Sequence, residues 1–371
     1  MKNIKKKGRN SSIELLRILS MFAIVIHHYA VHGTLNSDHY NPAIINTLRI
    51  NLFLHYLGKV GVCCFVIIGA YFLCEKRFNF RRPVNLIITM MFYSFGIYLV
   101  LKYGFHTGIW GADTPARTWL PFPLPSGYWF VYAYIVMLLA MPCLNIIINS
   151  LNQRKLLLLI GGLFILWSII PAGIWMFGTK PDTSVEDFGY TYTTYFFLLY
   201  FVGAYLRKYR NAFWDSASKT GIAAIVTMII AALLTFLVNG QQSLYYYEDI
   251  VGTNGPIVLI SAVFVFAFFR DVQMNNRFIN YVAGSMFGVY LIHEDSFIRP
   301  LIWQKFISSA KIAHSASAYT IQGLEYSLLI FVGCILLDIV IRRLLFSKLI
   351  DWLTKVFTNL ISKIVDRVLA K

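Results

Sequence analysis

The sequence predicts an all-α fold, a polytopic transmembrane helical bundle of about ten helices. Of its 371 residues, 58% are hydrophobic and only 13% are charged, whereas soluble domains carry roughly 25% charged residues. Apolar runs of about 18 residues, the length that spans a bilayer, recur along the whole chain. Lysine and arginine gather in alternate connecting segments, as they do in membrane proteins of fixed orientation. These three observations argue against a large soluble domain.

The apolar runs predict the helices one by one, because each run is long enough to cross a bilayer. The predicted helices cover 12–32, 51–74, 84–104, 127–149, 155–177, 191–206, 220–239, 253–269, 278–295 and 324–346. The longest stretches between them, all predicted on the outer side, are 33–50, 105–126, 178–190, 240–252 and 296–323. These stretches are long enough to shape a substrate site and too short to form an independent enzyme domain.

The distribution of basic residues predicts the orientation of the bundle. With the N-terminus on the cytoplasmic side, 24 of the 33 lysine and arginine residues fall in cytoplasmic segments, as the positive-inside rule requires. Ten spans then place both termini in the cytoplasm. The formal net charge of +16 is therefore a topology signal, and no binding to nucleic acid is predicted.

The last 25 residues differ from the spans, which divides the chain into a transmembrane domain at 1–346 and a terminal segment at 347–371. Apolar residues recur there at steps of three and four, namely Leu349, Leu353, Val356, Leu360, Ile364 and Val368. Basic residues occupy the other faces, a pattern typical of an amphipathic helix lying on a bilayer. We expect this helix at the cytoplasmic face, where it anchors the chain to lipid or binds a partner.

The five cysteines predict no metal site. All of them fall inside apolar helices, and none has the Cys/His spacing of a zinc centre. A cysteine in such a helix is usually a small hydrophobic residue.

Ionisable side chains inside a membrane are costly and therefore mark functional sites. The first helix carries Glu14, Arg17 and His28. At about 100° per residue, Arg17 and His28 differ by only about 20° in direction, and Glu14 lies about 60° from Arg17. The three side chains thus share one face, whereas His27 points about 80° away. At ~1.5 Å per residue, His28 lies roughly 24 Å into the membrane.

A second histidine is predicted at a similar depth. His293 lies near the end of the ninth helix, roughly 21 Å along it. We therefore expect His28 and His293 to face one cavity. The alternative is that each histidine is an interfacial residue bonded to a backbone carbonyl.

These landmarks resemble the acyltransferase 3 family of multi-pass membrane acyltransferases. The first helix is similar to the family's Arg-x10-His signature, carried here by Arg17 and His28 with Glu14 three residues before the arginine. The ninth helix resembles the family's Tyr-x-Leu-His ending in its Tyr290-to-His293 segment. The resemblance covers nearly the whole chain.

Two further helices carry the resemblance. The segment from Tyr128 and Trp129 to Pro142 is similar to the family's Trp-Phe-x-x-Tyr stretch that ends in proline. The second helix resembles the family's Gly-Val-x-x-Phe-x-x-x-Ser-Gly stretch, but the Ser-Gly pair reads Gly69-Ala70 here. If the serine hydroxyl takes part in catalysis, its loss must be compensated; if the pair serves close packing, Gly-Ala preserves it.

The resemblance implies an O-acyltransferase of the bacterial cytoplasmic membrane. It implies transfer of an acetyl or similar acyl group from cytoplasmic acetyl-CoA, a donor substrate rather than a bound cofactor, to a hydroxyl of a surface polysaccharide or other cell-envelope glycan. The candidate catalytic residues are His28, Arg17, Glu14 and His293. Neutral His28 suits the role of general base, because imidazole titrates near neutral pH. His293 would orient the acceptor or share proton transfer.

Candidate residues also exist for both substrates. Arginine binds phosphate through a fork of donors, and the candidates for CoA are Arg17, Arg77, Arg81, Arg82 and Arg207. The positive-inside bias alone also explains the last four, and Arg17 also suits a structural pair with Glu14. For the acceptor we expect Tyr128, Trp129 and Tyr290, although interfacial belts likewise recruit aromatic residues.

Two other functions fit a polytopic bundle. A lipid-linked glycan flippase or a small-molecule transporter would also line a path with polar groups, and a non-catalytic scaffold or sensor would need no such path. The sequence also leaves open whether an acyltransferase of this kind acts on the final glycan directly. It would otherwise hand the acyl group to a separate extracytoplasmic transferase or to glycan-assembly machinery.

Overall fold

The computed structural model describes residues 10–35, 39–105, 128–177 and 189–369. Within these ranges the chain is helical and contains no strand. The helices used below are α1 (Ser11–His32), α2 (Ile45–Leu73), α3 (Arg81–Leu99), α4 (Trp129–Ser150), α5 (Gln153–Phe164), α6 (Ile170–Phe177), α7 (Tyr192–Lys208), α8 (Ala217–Leu234), α9 (Gln241–Ile250), α10 (Pro256–Asp271), α11 (Arg277–Ala283), α12 (Met286–His293), α13 (Ala316–Asp338) and α14 (Ser347–Leu369).

Six helical segments of the described chain are long and apolar enough to cross a membrane. They are Ser11–His32, Pro42–Leu73, Arg81–Gly104, Trp129–Ser150, Gln153–Gly173 and Ala217–Leu237. The helices α7 and α10 are apolar but have only 17 and 16 residues, fewer than the ~20 that a span usually needs. The all-helical membrane architecture is thus confirmed, while the count of ten spans and the orientation stay predictions.

Several predicted boundaries are wrong. The second helix begins at Ile45 rather than 51, and α13 begins at Ala316 rather than 324, because polar residues at both starts hide helical turns from a hydropathy criterion. The predicted stretch 240–252 contains α9. The predicted stretches 105–126 and 178–190 lie mostly outside the described residues.

The first two helices pack closely over much of their length. A side chain at Gly58 would collide with the side chain of His27, and one at Gly61 would lie 2.6 Å from the Ser20 carbonyl oxygen. Small residues of this kind let helix backbones approach each other in membrane proteins. The α1 helix itself begins where the Asn10 side chain accepts a hydrogen bond from the Ser12 amide, a typical N-cap. This packing fixes the direction of the polar face of α1.

The predicted ninth helix is not continuous, since it breaks at Gly284 and Ser285 between α11 and α12. Backbone carbonyls freed by such a break need donors inside a membrane protein. Arg342 donates to the Gly284 carbonyl at 2.8 Å, and Arg343 donates to the Tyr281 carbonyl at 2.7 Å. The sequence prediction missed the break because Gly-Ser is compatible with an uninterrupted apolar helix. The break sets the position of α12, which carries His293.

One of these two donors, Arg342, is held by a buried carboxylate. Asp338 at the end of α13 is fully buried and accepts hydrogen bonds from Arg342 at 2.6 and 2.7 Å. The Tyr93 hydroxyl of α3 donates to the same carboxylate at 2.6 Å. Helices α3, α12 and α13 therefore meet around one ion pair.

The terminal helix α14 packs beside α3 and leaves its apolar face uncovered within the described structure. Ile350 is buried, and Asn85 of α3 donates to the Thr354 hydroxyl at 3.2 Å. Large apolar residues remain exposed along the other turns, namely Leu349, Trp352, Val356, Phe357, Leu360, Ile364 and Val368. The helix predicted over 347–371 is present over Ser347–Leu369. Its contact with lipid stays a prediction.

Candidate active site

The two predicted histidines are in direct contact. His28 Nδ1 lies 2.8 Å from His293 Nε2, and both side chains are buried. His293 Nδ1 lies 2.6 Å from the Val289 carbonyl oxygen, which can only accept, so His293 carries its proton on Nδ1. Its Nε2 then accepts a hydrogen bond from the N–H group at His28 Nδ1. The remaining nitrogen of His28, Nε2, is thereby left with a free lone pair.

The carboxylate of Glu294 completes this arrangement. Its Oε2 lies 3.1 Å from His28 Nδ1, and its Oε1 lies 3.5 Å from His32 Nε2. Arg299 donates to Oε1 at 2.9 Å. A buried carboxylate beside one imidazole nitrogen stabilises the positive charge that forms when the other nitrogen takes up a proton. His28 is therefore arranged as a general base.

A cavity of about 370 Å³, here called the histidine cavity, is lined by His28, His32, Glu294 and Arg299. The full set of its lining residues is Met21, Ile24, His27, His28, Val31, His32, Lys59, Val62, Phe65, Trp129, Phe130, Tyr290, Glu294 and Arg299. His293 contacts His28 but is not among the residues that line this cavity, where it was predicted to lie. Apolar and aromatic walls with a few convergent polar groups are typical of a small-ligand site.

His27 has a different role from its neighbour. Its Nδ1 lies 3.0 Å from the carbonyl oxygen of His55, and its ring stacks on that of His55 with centroids 4.5 Å apart. The Nδ1 proton is thus used in a bond to backbone. His27 nevertheless lines the histidine cavity together with His28, although it was predicted to point about 80° away.

At the other end of α1, Arg17 pairs with Glu14 at 3.1 Å. Arg17 also lines a cavity of about 600 Å³, here called the basic cavity. Its other lining residues are Gly69, Phe72, Leu73, Lys76, Asn79, Arg81, Arg82, Asn85, Leu86, Tyr134 and Leu138. Arg17 therefore forms an ion pair with Glu14 and also lines a cavity that could hold a ligand.

A third cavity of about 330 Å³, the middle cavity, adjoins the other two. It shares four lining residues with the basic cavity, Arg17, Gly69, Leu86 and Tyr134. It shares four others with the histidine cavity, Met21, Phe65, Phe130 and Tyr290. The three cavities form one line along α1, from Arg17 to His28.

The structure brings only some of the predicted donor-binding arginines together. Arg81 and Arg82 line the basic cavity with Arg17, whereas Arg77 is exposed and does not line it. Arg207 is bound to Glu75 at 2.7 Å, and its guanidinium lies over the ring of Tyr71. The hydrogen bond to Glu75 raises the pKa of Arg207. Arg77 and Arg207 therefore lie apart from the cavity.

The predicted acceptor residues are also divided. Trp129 and Tyr290 line the histidine cavity. Tyr128 is buried instead, and its hydroxyl donates to the Leu291 carbonyl at 2.7 Å and lies 3.1 Å from Asp295 Oδ2. Tyr128 thus fixes the end of α12 and does not face the cavity.

Five polar residues of the histidine cavity were not predicted as site residues, namely His27, His32, Lys59, Glu294 and Arg299. His32 lies four residues after His28, a spacing that places both on one helix face. Lys59 is a charge within an apolar span, and Glu294 directly follows His293, so the sequence carried a signal for each. Arg299 follows the end of α12, and helix periodicity gives no signal for it.

His28, His32 and Glu294 also place three potential ligand atoms within 4.8 Å of one another. Two of these residues have other partners, because Arg299 donates to Glu294 Oε1 and His28 Nδ1 donates to His293 Nε2. A guanidinium beside the carboxylate disfavours a second cation. This pattern favours proton transfer over metal coordination.

Comparison with protein-family models assigns the chain to a known family. The model of the acyltransferase 3 family, described as an acyltransferase domain, matches residues 10–343. The chain belongs to the acyltransferase 3 family. It is thus a membrane acyltransferase at the level of the family, and the matched region contains all three cavities. No curated protein and no solved structure matches the chain.

Proposed function

We propose that this acyltransferase moves an acetyl or similar acyl group from acyl-CoA at the basic cavity to a glycan hydroxyl at the histidine cavity. The observation that carries the proposal is the line of three adjoining cavities, with Arg17 at one end and His28 at the other. Arg17 and His28 are eleven residues apart, or ~16 Å along the helix. One face of α1 thus connects a cationic cavity with a basic imidazole.

The basic cavity suits the phosphates of CoA. Arg17, Arg81 and Arg82 supply guanidinium groups at its wall, and each presents a planar set of donors that matches phosphate oxygens. CoA is confined to the cytoplasm, so we place this cavity on the cytoplasmic side with both termini of a ten-span chain. The distribution of basic residues supports that orientation.

The proposed chemistry begins at His28. Its Nε2 takes the proton of the acceptor hydroxyl while the oxygen attacks the thioester carbonyl. The resulting tetrahedral intermediate expels the CoA thiolate, forming an ester and breaking the carbon–sulfur bond. The imidazolium returns its proton to the thiolate, and Glu294 stabilises the imidazolium between the two steps.

The acceptor is proposed to be a cell-envelope glycan at the outer side of a bacterial cytoplasmic membrane. Trp129 at the wall of the histidine cavity packs on Tyr192 with ring centroids 4.2 Å apart. A fixed aromatic face of this kind suits a sugar ring, which has an apolar side. Transfer is either direct or through a separate extracytoplasmic transferase that takes the acyl group.

Membranes that carry the protein test the proposal when supplied with radiolabelled acetyl-CoA. We expect them to consume the donor and to incorporate the label into glycan, with loss of both in Arg17→Ala and His28→Ala variants. Absence of donor consumption, together with movement of an unmodified glycan across the bilayer, would show a transporter instead.

A further inference from the structure

The space at Gly69 is occupied by the side chain of Tyr134. A Cβ atom at position 69 would collide with the Tyr134 hydroxyl oxygen, and it would lie 3.2 and 3.3 Å from two carbon atoms of the ring. Any side chain at position 69 would therefore displace this tyrosine. The lack of a side chain at Gly69 on α2 therefore allows the ring of Tyr134 on α4 to lie against this position.

Tyr134 lies where two cavities meet. Together with Gly69 and Arg17, it lines both the basic cavity and the middle cavity. Within the described part of the chain, its hydroxyl makes no hydrogen bond to protein. A hydroxyl at a cavity wall without a protein partner is available to a ligand.

Gly69 is also the position at which the second helix departs from the Ser-Gly pair of the family stretch that it resembles. The stretch that resembles the family's Ser-Gly pair reads Gly69-Ala70 in this chain. The Cβ atom of a serine at position 69 would fall within the volume that the Tyr134 hydroxyl now fills. The wall at this position thus presents the Tyr134 hydroxyl.

We infer that the Tyr134 hydroxyl is a binding group for the phosphopantetheine part of acyl-CoA, acting beside Arg17. The inference rests on the proposed function, in which the thioester reaches His28 while the phosphates stay in the basic cavity. The arm between them must then pass the junction at Tyr134. Its phosphate oxygens and amide carbonyls accept hydrogen bonds, which a tyrosine hydroxyl and an arginine supply.

Binding of CoA itself to the purified protein tests this inference without requiring turnover. By titration calorimetry, we expect Tyr134→Phe to raise the Kd for CoA by roughly tenfold, the effect of losing one hydrogen bond to a charged ligand. The double variant Gly69→Ser with Tyr134→Phe should recover binding to within about threefold of the native protein. The Cβ of the serine takes the space of the deleted tyrosine hydroxyl, the phenylalanine ring moves by a few tenths of an ångström, and the serine supplies a hydroxyl at the same wall. Gly69→Ser alone should weaken binding, because it displaces the tyrosine.

The control is Tyr132→Phe, which removes a hydroxyl from the same helix but not from either cavity. Binding by Tyr134→Phe equal to that of the native protein would overturn the inference while leaving the proposed function intact. A double variant as weak as Tyr134→Phe, with unchanged thermal unfolding, would also overturn it. Failure of the native protein to bind CoA at all would overturn the proposed function and this inference together.

Discussion

His28 Nδ1 and His293 Nε2 lie 2.8 Å apart although 265 residues separate them in the chain. A third residue fixes the direction of this hydrogen bond, because His293 Nδ1 donates to the Val289 carbonyl oxygen. Nε2 of His28 is left as the basic nitrogen. The α12 helix thus sets the tautomer of His28 on α1. The break at Gly284 and Ser285 contributes to this because it sets the position of α12.

Glu294 should matter for the rate more than for folding. Glu294→Gln keeps the shape of the side chain and removes the charge beside His28 Nδ1, so the imidazolium formed during transfer loses its counter-charge. We expect the rate of acetyl transfer by the purified protein to fall by roughly 10- to 100-fold. Glu325→Gln, on the exposed side of α13, is the matched control and should leave the rate unchanged. Equal rates for the two variants would exclude this role of Glu294.

Asp338 should matter for stability. Asp338→Ala leaves the Arg342 guanidinium without its buried carboxylate, a change that typically costs about 3–5 kcal/mol. Thermal unfolding in detergent should therefore shift clearly to lower temperature. Asp351→Ala removes an exposed carboxylate 3.6 Å from Arg81 and should cost less than about 1 kcal/mol. Similar unfolding temperatures for the two variants would show that the ion pair does not hold α3, α12 and α13 together.

The exposed apolar face of α14 should lie in lipid. Trp352 is 59% exposed on that face, and an amphipathic helix buries such a face at the boundary between headgroups and acyl chains. In liposomes with brominated lipids, we expect quenching of tryptophan fluorescence that decreases in a Trp352→Phe variant. Identical quenching in both proteins would place the face in contact with something other than lipid.

The sequence predicted those features that depend on one helix alone. The common face of Arg17 and His28 follows from helical periodicity, and the proximity of His293 followed from its similar depth. The break at Gly284 was not predictable in this way, because the donors that stabilise it, Arg342 and Arg343, come from a distant segment. Arg299 reaches Glu294 only because the chain turns after α12.

The relationship between Gly69 and Tyr134 shows the same limit. The second helix reads Gly69-Ala70 where the family stretch that it resembles has Ser-Gly. Helical periodicity within α2 says nothing about which side chain of α4 packs against this position. Contacts between helices depend on their crossing and rotation, which side-chain packing determines. The fold class was therefore predictable, whereas the packing of Tyr134 against Gly69 was not.

The role proposed for His28 is that of the base at the end of a path that begins at the cytoplasmic side. Its most direct test is the initial rate of label transfer to glycan when radiolabelled acetyl-CoA is added to inside-out membrane vesicles. We expect transfer by the native protein and substantial transfer by His27→Ala. In His28→Ala we expect the initial rate of transfer to fall by at least about 100-fold. Full transfer by His28→Ala together with loss in His27→Ala would contradict it.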